Sequence, residues 1–78
     1  MLQEEDAIRI AREFIRQDRN LDADIVRERS DGVAISEFRC GQWRVELIPK
    51  ERFGGFGGGF LVIIDARTGE VVETWDTQ

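Results

Sequence analysis

A chain of 78 residues with no histidine and one cysteine has few ways to do covalent chemistry. Missing histidine excludes the Ser-His-Asp triad, the Cys-His dyad, histidine zinc sites and ordinary imidazole acid–base catalysis. Cys40 stands alone, so it forms neither an intrachain disulfide nor a multi-thiolate metal site. A cysteine nucleophile needs an activating base, and imidazole is not on offer. The expectation for Cys40 is therefore a small buried hydrophobe. Sixteen carboxylates are available, but no pair among them has a spacing that marks a catalytic acid and base. Asp22 and Asp24 open like a calcium loop, yet Val26 and Arg27 follow where a ligand and a glycine belong. A solvated turn is the expectation there. No cofactor is implied.

The most unusual stretch is Phe53-Gly54-Gly55-Phe56-Gly57-Gly58-Gly59-Phe60. A phosphate cradle fails on spacing. Phe60 occupies the final place of a Gly-x-Gly-x-x-Gly register begun at Gly55, and no Gly-Lys-Ser/Thr follows. Two readings remain: a long hairpin loop, or a binding loop that presents Phe53 and Phe56 between glycine hinges. Phe53, Gly54, Gly55, Phe56, Gly57, Gly58 and Gly59 are the candidate binding residues, with Phe56 expected to be partly exposed and Phe60 to be core. Trp43 and Trp75 are expected to pack a helix against a sheet, and a surface anchor role is open to either.

The surrounding elements follow from hydrophobic period. Glu4 to about Arg19 reads as a helix, with Ala7, Ile8, Ala11, Phe14 and Ile15 on one face and Arg9, Arg12, Glu13 and Arg16 opposite. Phe14 and Ile15 are expected to be buried. Glu4, Glu5 and Asp6 suit the positive end of the helix dipole, and Asn20 is a plausible left-handed stop. Beyond Asn20 the period becomes two. Asp24 to Arg29 is a weak, charged edge-strand candidate, and Val33 to Cys40 a second strand. The apolar parity of that second strand shifts near Ser36-Glu37, as a bulge or twist would require. Trp43, Val45 and Leu47 alternate with Arg44 and Glu46, and Pro49 ends that strand. Phe60 to Ile64 is apolar throughout, as in a central strand. Asp65 to Gly69 reads as a hairpin turn with Gly69 at positive φ, and Glu70 to Trp75 closes the sheet with Val71 and Trp75 sharing a face. The expected architecture is one α+β domain over residues 1–78, with an N-terminal helix packed on a four- to five-stranded antiparallel sheet in two layers.

Charge and composition bound the partners. Eleven basic and 16 acidic residues give a net charge of −5, which argues against nucleic acid or an anionic membrane as a main partner. The longest apolar run, Phe60 to Ile64, is too short to span a bilayer. The opening Met-Leu-Gln-Glu-Glu-Asp lacks a basic leader and an apolar core. The expectation is a cytoplasmic protein, or an extracytoplasmic one if a leader has been removed. A helix covers only one side of a sheet, so a homodimer through the uncovered side is expected.

Three features taken together resemble the PepSY domain of thermolysin-type propeptides and bacterial envelope proteins. They are the helix Glu-Glu-Asp-Ala-Ile-Arg-Ile-Ala-Arg-Glu-Phe (4–14), the Trp43-Arg44-Val45 strand, and the segment Ile63-Ile64-Asp65-Ala66-Arg67-Thr68-Gly69-Glu70-Val71-Val72. That resemblance implies a cystatin-like helix-on-sheet fold and a non-catalytic, inhibitory or regulatory protein-binding role. A second resemblance, through Trp43, Gly54-Gly55 or Gly58-Gly59, and Thr68-Gly69, is to small immunity proteins with the nuclear-transport-factor-two fold. It implies neutralisation of a bacterial toxin. Neither family supplies catalytic residues. Rival classes are a carrier with a pocket between helix and sheet, and an enzyme working with carboxylates, arginine or a metal ion.

Overall fold

The computed structural model describes residues 1–52 and 59–76. Two helices, α1 (Glu4–Arg16) and α2 (Ala23–Ser30), precede four strands: β1 (Val33–Arg39), β2 (Gln42–Ile48), β3 (Phe60–Asp65) and β4 (Val71–Asp76). The strands form one antiparallel sheet in the order β1-β2-β3-β4. Helices cover one side, so the architecture is the expected two-layer α+β fold with one more helix.

Helix α1 lies on the sheet through Ala7, Ala11 and Ile15, all buried and spaced by four. Two alanines in that row let the helix backbone approach the strands closely. Beneath them lie Val45 and Leu47 of β2 and Val62 and Ile64 of β3, each fully buried. Burying each such side chain stabilises the fold by about 1.5–3 kcal/mol, so this row dominates the stability. The helix ends at Arg16 with Gln17 as its cap, and Asn20 does not take the left-handed conformation expected of it. Phe14 also departs from expectation, being 39% exposed. The contact stripe runs along 7, 11 and 15, which places Phe14 at its margin.

The segment expected as a charged edge strand, Asp24 to Arg29, is helix α2 instead. Asp22 is its N-cap, its carboxylate accepting the amide N–H of Asp24 at 2.8 Å. Such a cap satisfies a helix-end amide that a strand would not leave open. The period signal is faint because α2 is only eight residues long and its two large apolar residues, Ile25 and Val26, are adjacent. Arg12, assigned from the sequence to the solvent side of α1, is half-buried. Its Nη1 donates to the carbonyl oxygens of Ser30 at 2.7 Å and Gly32 at 2.8 Å. One guanidinium thus joins α1 to the C-terminal end of α2 and to the entry of β1. A cation at that place also suits the helix dipole.

The strand connections are local. Between β1 and β2 there are two residues, Cys40 and Gly41, with φ of 52° and 79°. Positive φ at both central positions marks a type I′ turn, whose twist matches the flanking strands. Cys40 is exposed there, which corrects its expected burial. Between β3 and β4, Gly69 has φ 78° as expected. Its N–H donates to the Asp65 carbonyl at 2.8 Å, and the Asp65 carboxylate accepts the Arg67 N–H at 2.8 Å.

Two face assignments change. The β1–β2 ladder is continuous from Val33↔Ile48 to Arg39↔Gln42, so no bulge interrupts Ser36-Glu37. The irregularity falls between Ile63 and Ile64, where β3 pairs successively with Glu73 and Val71 and passes over Val72. That extra residue puts Val71 on the helix side and Trp75 on the other, rather than together.

Candidate functional site

Alternation along the strands sorts every sheet residue to one of two sides. Val45, Leu47, Val62 and Ile64 point to the helices, so Arg44, Glu46, Leu61 and Ile63 point away. The register lines up two rows on that uncovered side. One reads Ile35, Glu46, Leu61, Trp75 across the four strands, and the next Glu37, Arg44, Ile63, Glu73. Ile35 is 48% exposed and Trp75 is 55% exposed. Leu61 is half-buried between them, and Ile63 in the second row is buried. The uncovered side therefore carries Ile35, Leu61 and Trp75 in one row, interrupted by Glu46 and bordered by Glu37, Arg44 and Glu73. Tryptophan is enriched among interface anchors, which makes Trp75 the residue of this face to test for a protein contact.

Trp75 was expected to pack a helix against the sheet, and the bulge at Val72 is what turns it outward. Trp43 does take the expected place. Its Nε1–H donates to the Leu2 carbonyl at 3.0 Å, and its ring meets Phe38 edge-on with centroids 5.3 Å apart. The two tryptophans have separate jobs, one fixing the start of α1 and one lying open. Ser36 Oγ hydrogen-bonds the Glu4 carboxylate on the same side of the sheet as Trp43, pinning the first turn of α1 to the edge strand.

Of the candidate loop, Phe53, Gly54, Gly55, Phe56, Gly57 and Gly58 lie outside the described residues. Gly59 is described and buried. A Cβ there would collide with the Leu47 carbonyl oxygen, so glycine is required by close approach of the chain to β2. Phe60, expected as core, is half-buried against it. Arg29 stacks on its ring, with Cζ 5.1 Å from the centroid, and reaches Asp76 at 3.3 Å.

Two hollows flank α2. Asp24, Arg27, Glu28, Asp31, Lys50 and Glu51 line one of about 290 Å³. The other, about 620 Å³, lies among Arg12, Arg16, Asp31 and Lys50 beside Val33 and Ala34. Both are shallow and mixed in charge. Arg12 is committed to two carbonyls and Arg16 lies 3.5 Å from Asp31, which accounts for those cations structurally. Asp22 and Asp24 serve the cap of α2. Among the described residues no group of three or more histidine, cysteine, aspartate or glutamate side chains could hold a metal ion, and no helix is long and apolar enough to cross a membrane.

Comparison with protein-family models, with curated proteins and with solved structures finds no match to this chain. The fold and the uncovered sheet face are therefore what speak to function. Ile35 and Trp75 were within reach of the sequence as strand residues, but their placement on one cross-strand row was not. That needs the register, and the register depends on the β3–β4 bulge.

Proposed function

We propose that this domain is a non-catalytic protein-binding module with an inhibitory or regulatory role, and that the uncovered sheet face is its contact surface. The row Ile35, Leu61, Trp75 carries that reading, with an indole more than half in water at its end. Tryptophan is the residue most enriched among interface anchors, and a sheet presents it without the entropy cost of ordering a loop. A carrier role is less well supported, because the space between α1 and the sheet is filled by Ala7, Ala11, Ile15, Val45, Leu47, Val62 and Ile64. The resemblance to PepSY domains points to the same class of function. An acidic chain of net charge −5 suits a basic target, which is the form that the immunity-protein resemblance gives to this reading.

The test is a photo-reactive phenylalanine analogue placed at position 75, with the same analogue at the exposed Glu5 of α1 as control. Adducts with a distinct protein are expected from position 75 and not from position 5. Equal adducts from both, or none from position 75, would remove the sheet face from consideration.

A further inference from the structure

We infer that the outer edge of β1 takes an extended segment of another protein as an added antiparallel strand, with the C-terminal carboxylate of that segment in the cationic hollow beside Val33. Three observations meet there. The first is which backbone groups face outward. A two-residue type I′ turn makes Arg39 and Gln42 a hydrogen-bonded pair, so by alternation Glu37, Ile35 and Val33 also direct their N–H and C=O groups to β2. Ala34, Ser36 and Phe38 direct theirs away from the sheet. β1 is a terminal strand, and among the described residues no hydrogen bond reaches those outward groups. The second is that nothing blunts this edge. β1 keeps its register with β2 over all seven residues, without proline, lysine or bulge. β4, at the opposite edge, has the bulge at Val72 and carries Glu73 and Asp76. Bulges and charges are how sheets discourage pairing with other chains. Exposed apolar side chains flank the β1 edge on both sides, Ile35 on the uncovered side and Phe38, 46% exposed, on the helix side.

The third observation is charge. At its Val33 end the edge runs into the hollow of about 620 Å³, where Arg12, Arg16 and Lys50 bring three positive charges against one negative from Asp31. Arg12 uses only Nη1 on the Ser30 and Gly32 carbonyls, so Nη2 and Nε keep their protons for another acceptor. Lys50 forms no ion pair with a described residue. A strand added antiparallel to β1 has its C-terminal end beside Val33. Pairing direction and charge therefore agree, since the more stable antiparallel ladder is the one that delivers a carboxylate to these cations. In the parallel direction an N-terminal amine would meet like charge. The net charge of −5 is spread over the chain and screened beyond about 8 Å at physiological salt, so the local cations govern the contact. Backbone pairing supplies affinity and the carboxylate fixes the register, as in other strand-addition complexes. The site makes no use of Trp75 and is separate from the contact face proposed above.

The probe is an array of synthetic peptides the length of β1, alternating valine, isoleucine or threonine with random residues, made with free and with amidated C-termini. Free acids are expected to bind, and amidation to weaken them by about tenfold or more. Binding should slow hydrogen exchange at the Ala34, Ser36 and Phe38 amides, which exchange freely without peptide, and leave Ile35 and Glu37 unchanged. Lys50→Glu changes an exposed side chain. With circular dichroism retained, it should weaken the acids by about threefold or more and the amides not at all. Trp75→Ser should alter neither. No binder in either array, equal affinity of acids and amides, or binding that protects none of the three amides overturns the inference. So does protection of those amides in the free protein at twice the mass of 9.0 kDa, which would give the edge to a second copy. Peptide binding lost in Trp75→Ser would move the peptide to the open face and overturns it as well. Acids that bind as described while position 75 forms no adducts leave the edge site standing and remove the proposed contact face. Adducts through position 75 without peptide binding do the reverse.

Discussion

The two sides of the sheet are built from the same four strands and have opposite energetics. On the helix side, Val45, Leu47, Val62 and Ile64 are wholly buried under Ala7, Ala11 and Ile15. On the other, Ile35 and Trp75 stand about half in water, with Arg44, Glu46, Glu37 and Glu73 among them. On the function proposed above, stability and recognition are separated across one layer of backbone. A substitution on the first side is expected to be read in the unfolding free energy, and one on the second, on that proposal, in association.

The sharpest way to break that contrast is at its strongest point. Leu47→Ala removes a fully buried side chain beneath α1 and is expected to destabilise by about 2–5 kcal/mol. In a domain of this size that is a large fraction of the total stability. Urea melts giving a change below about 1 kcal/mol would mean the helix side is less tightly filled than its burial implies.

Arg12 gives the next largest effect, because it holds the helix layer together rather than filling it. Arg12→Ala leaves the Ser30 and Gly32 carbonyls without their guanidinium donor. A cost of about 1.5–3 kcal/mol is expected from charge-assisted hydrogen bonds of this kind. Hydrogen exchange offers a finer reading: amides of α2 should lose protection more than those of β2 and β3. Uniform loss across the domain would place Arg12 in the global core instead.

Gly69 follows. With φ 78° it closes the β3–β4 hairpin, and Gly69→Val should cost about 1–2 kcal/mol because a β-branched residue resists that region. A Cβ there would meet Ile10 and Leu2 side-chain atoms at an ordinary 3.6 Å, so the penalty is conformational rather than steric. Gly69→Asn should therefore recover part of the loss, since asparagine tolerates positive φ. Equal melting of the valine variant and the wild type would contradict the backbone argument.

These positions also show what a sequence can and cannot tell. Periodicity located α1, β1, β2, β3 and β4 to within a few residues, since each carries a strong apolar repeat or a turn residue at its end. Gly69 was legible because Asp-Ala-Arg-Thr-Gly leaves few other ways to turn. Helix α2 was not, because two adjacent β-branched residues in a charged segment imitate a strand edge, and only the Asp22 cap spoke for a helix. The outward turn of Trp75 was hidden for a different reason. Its side depends on one extra residue at Val72, and a bulge on β4 leaves no mark in the alternation of β3. Of the seven loop residues singled out for binding, the described one, Gly59, owes its identity to close packing against Leu47.

The smallest expected change in stability belongs to the uncovered face, and it sharpens the contrast best. Trp75→Ser and Ile35→Ser alter side chains that are 55% and 48% exposed. Each loses part of a cross-strand contact, on the order of 0.2–1 kcal/mol. Removing exposed apolar surface leaves the core beneath β2 and β3 untouched, so melting should shift by only a few degrees. Association should respond far more, since an interface anchor contributes where water is excluded. The pair of measurements on one variant is what matters. A serine at position 75 that lowers stability as much as Leu47→Ala does would assign Trp75 to the core, and the two sides of the sheet would then no longer divide the work between folding and recognition.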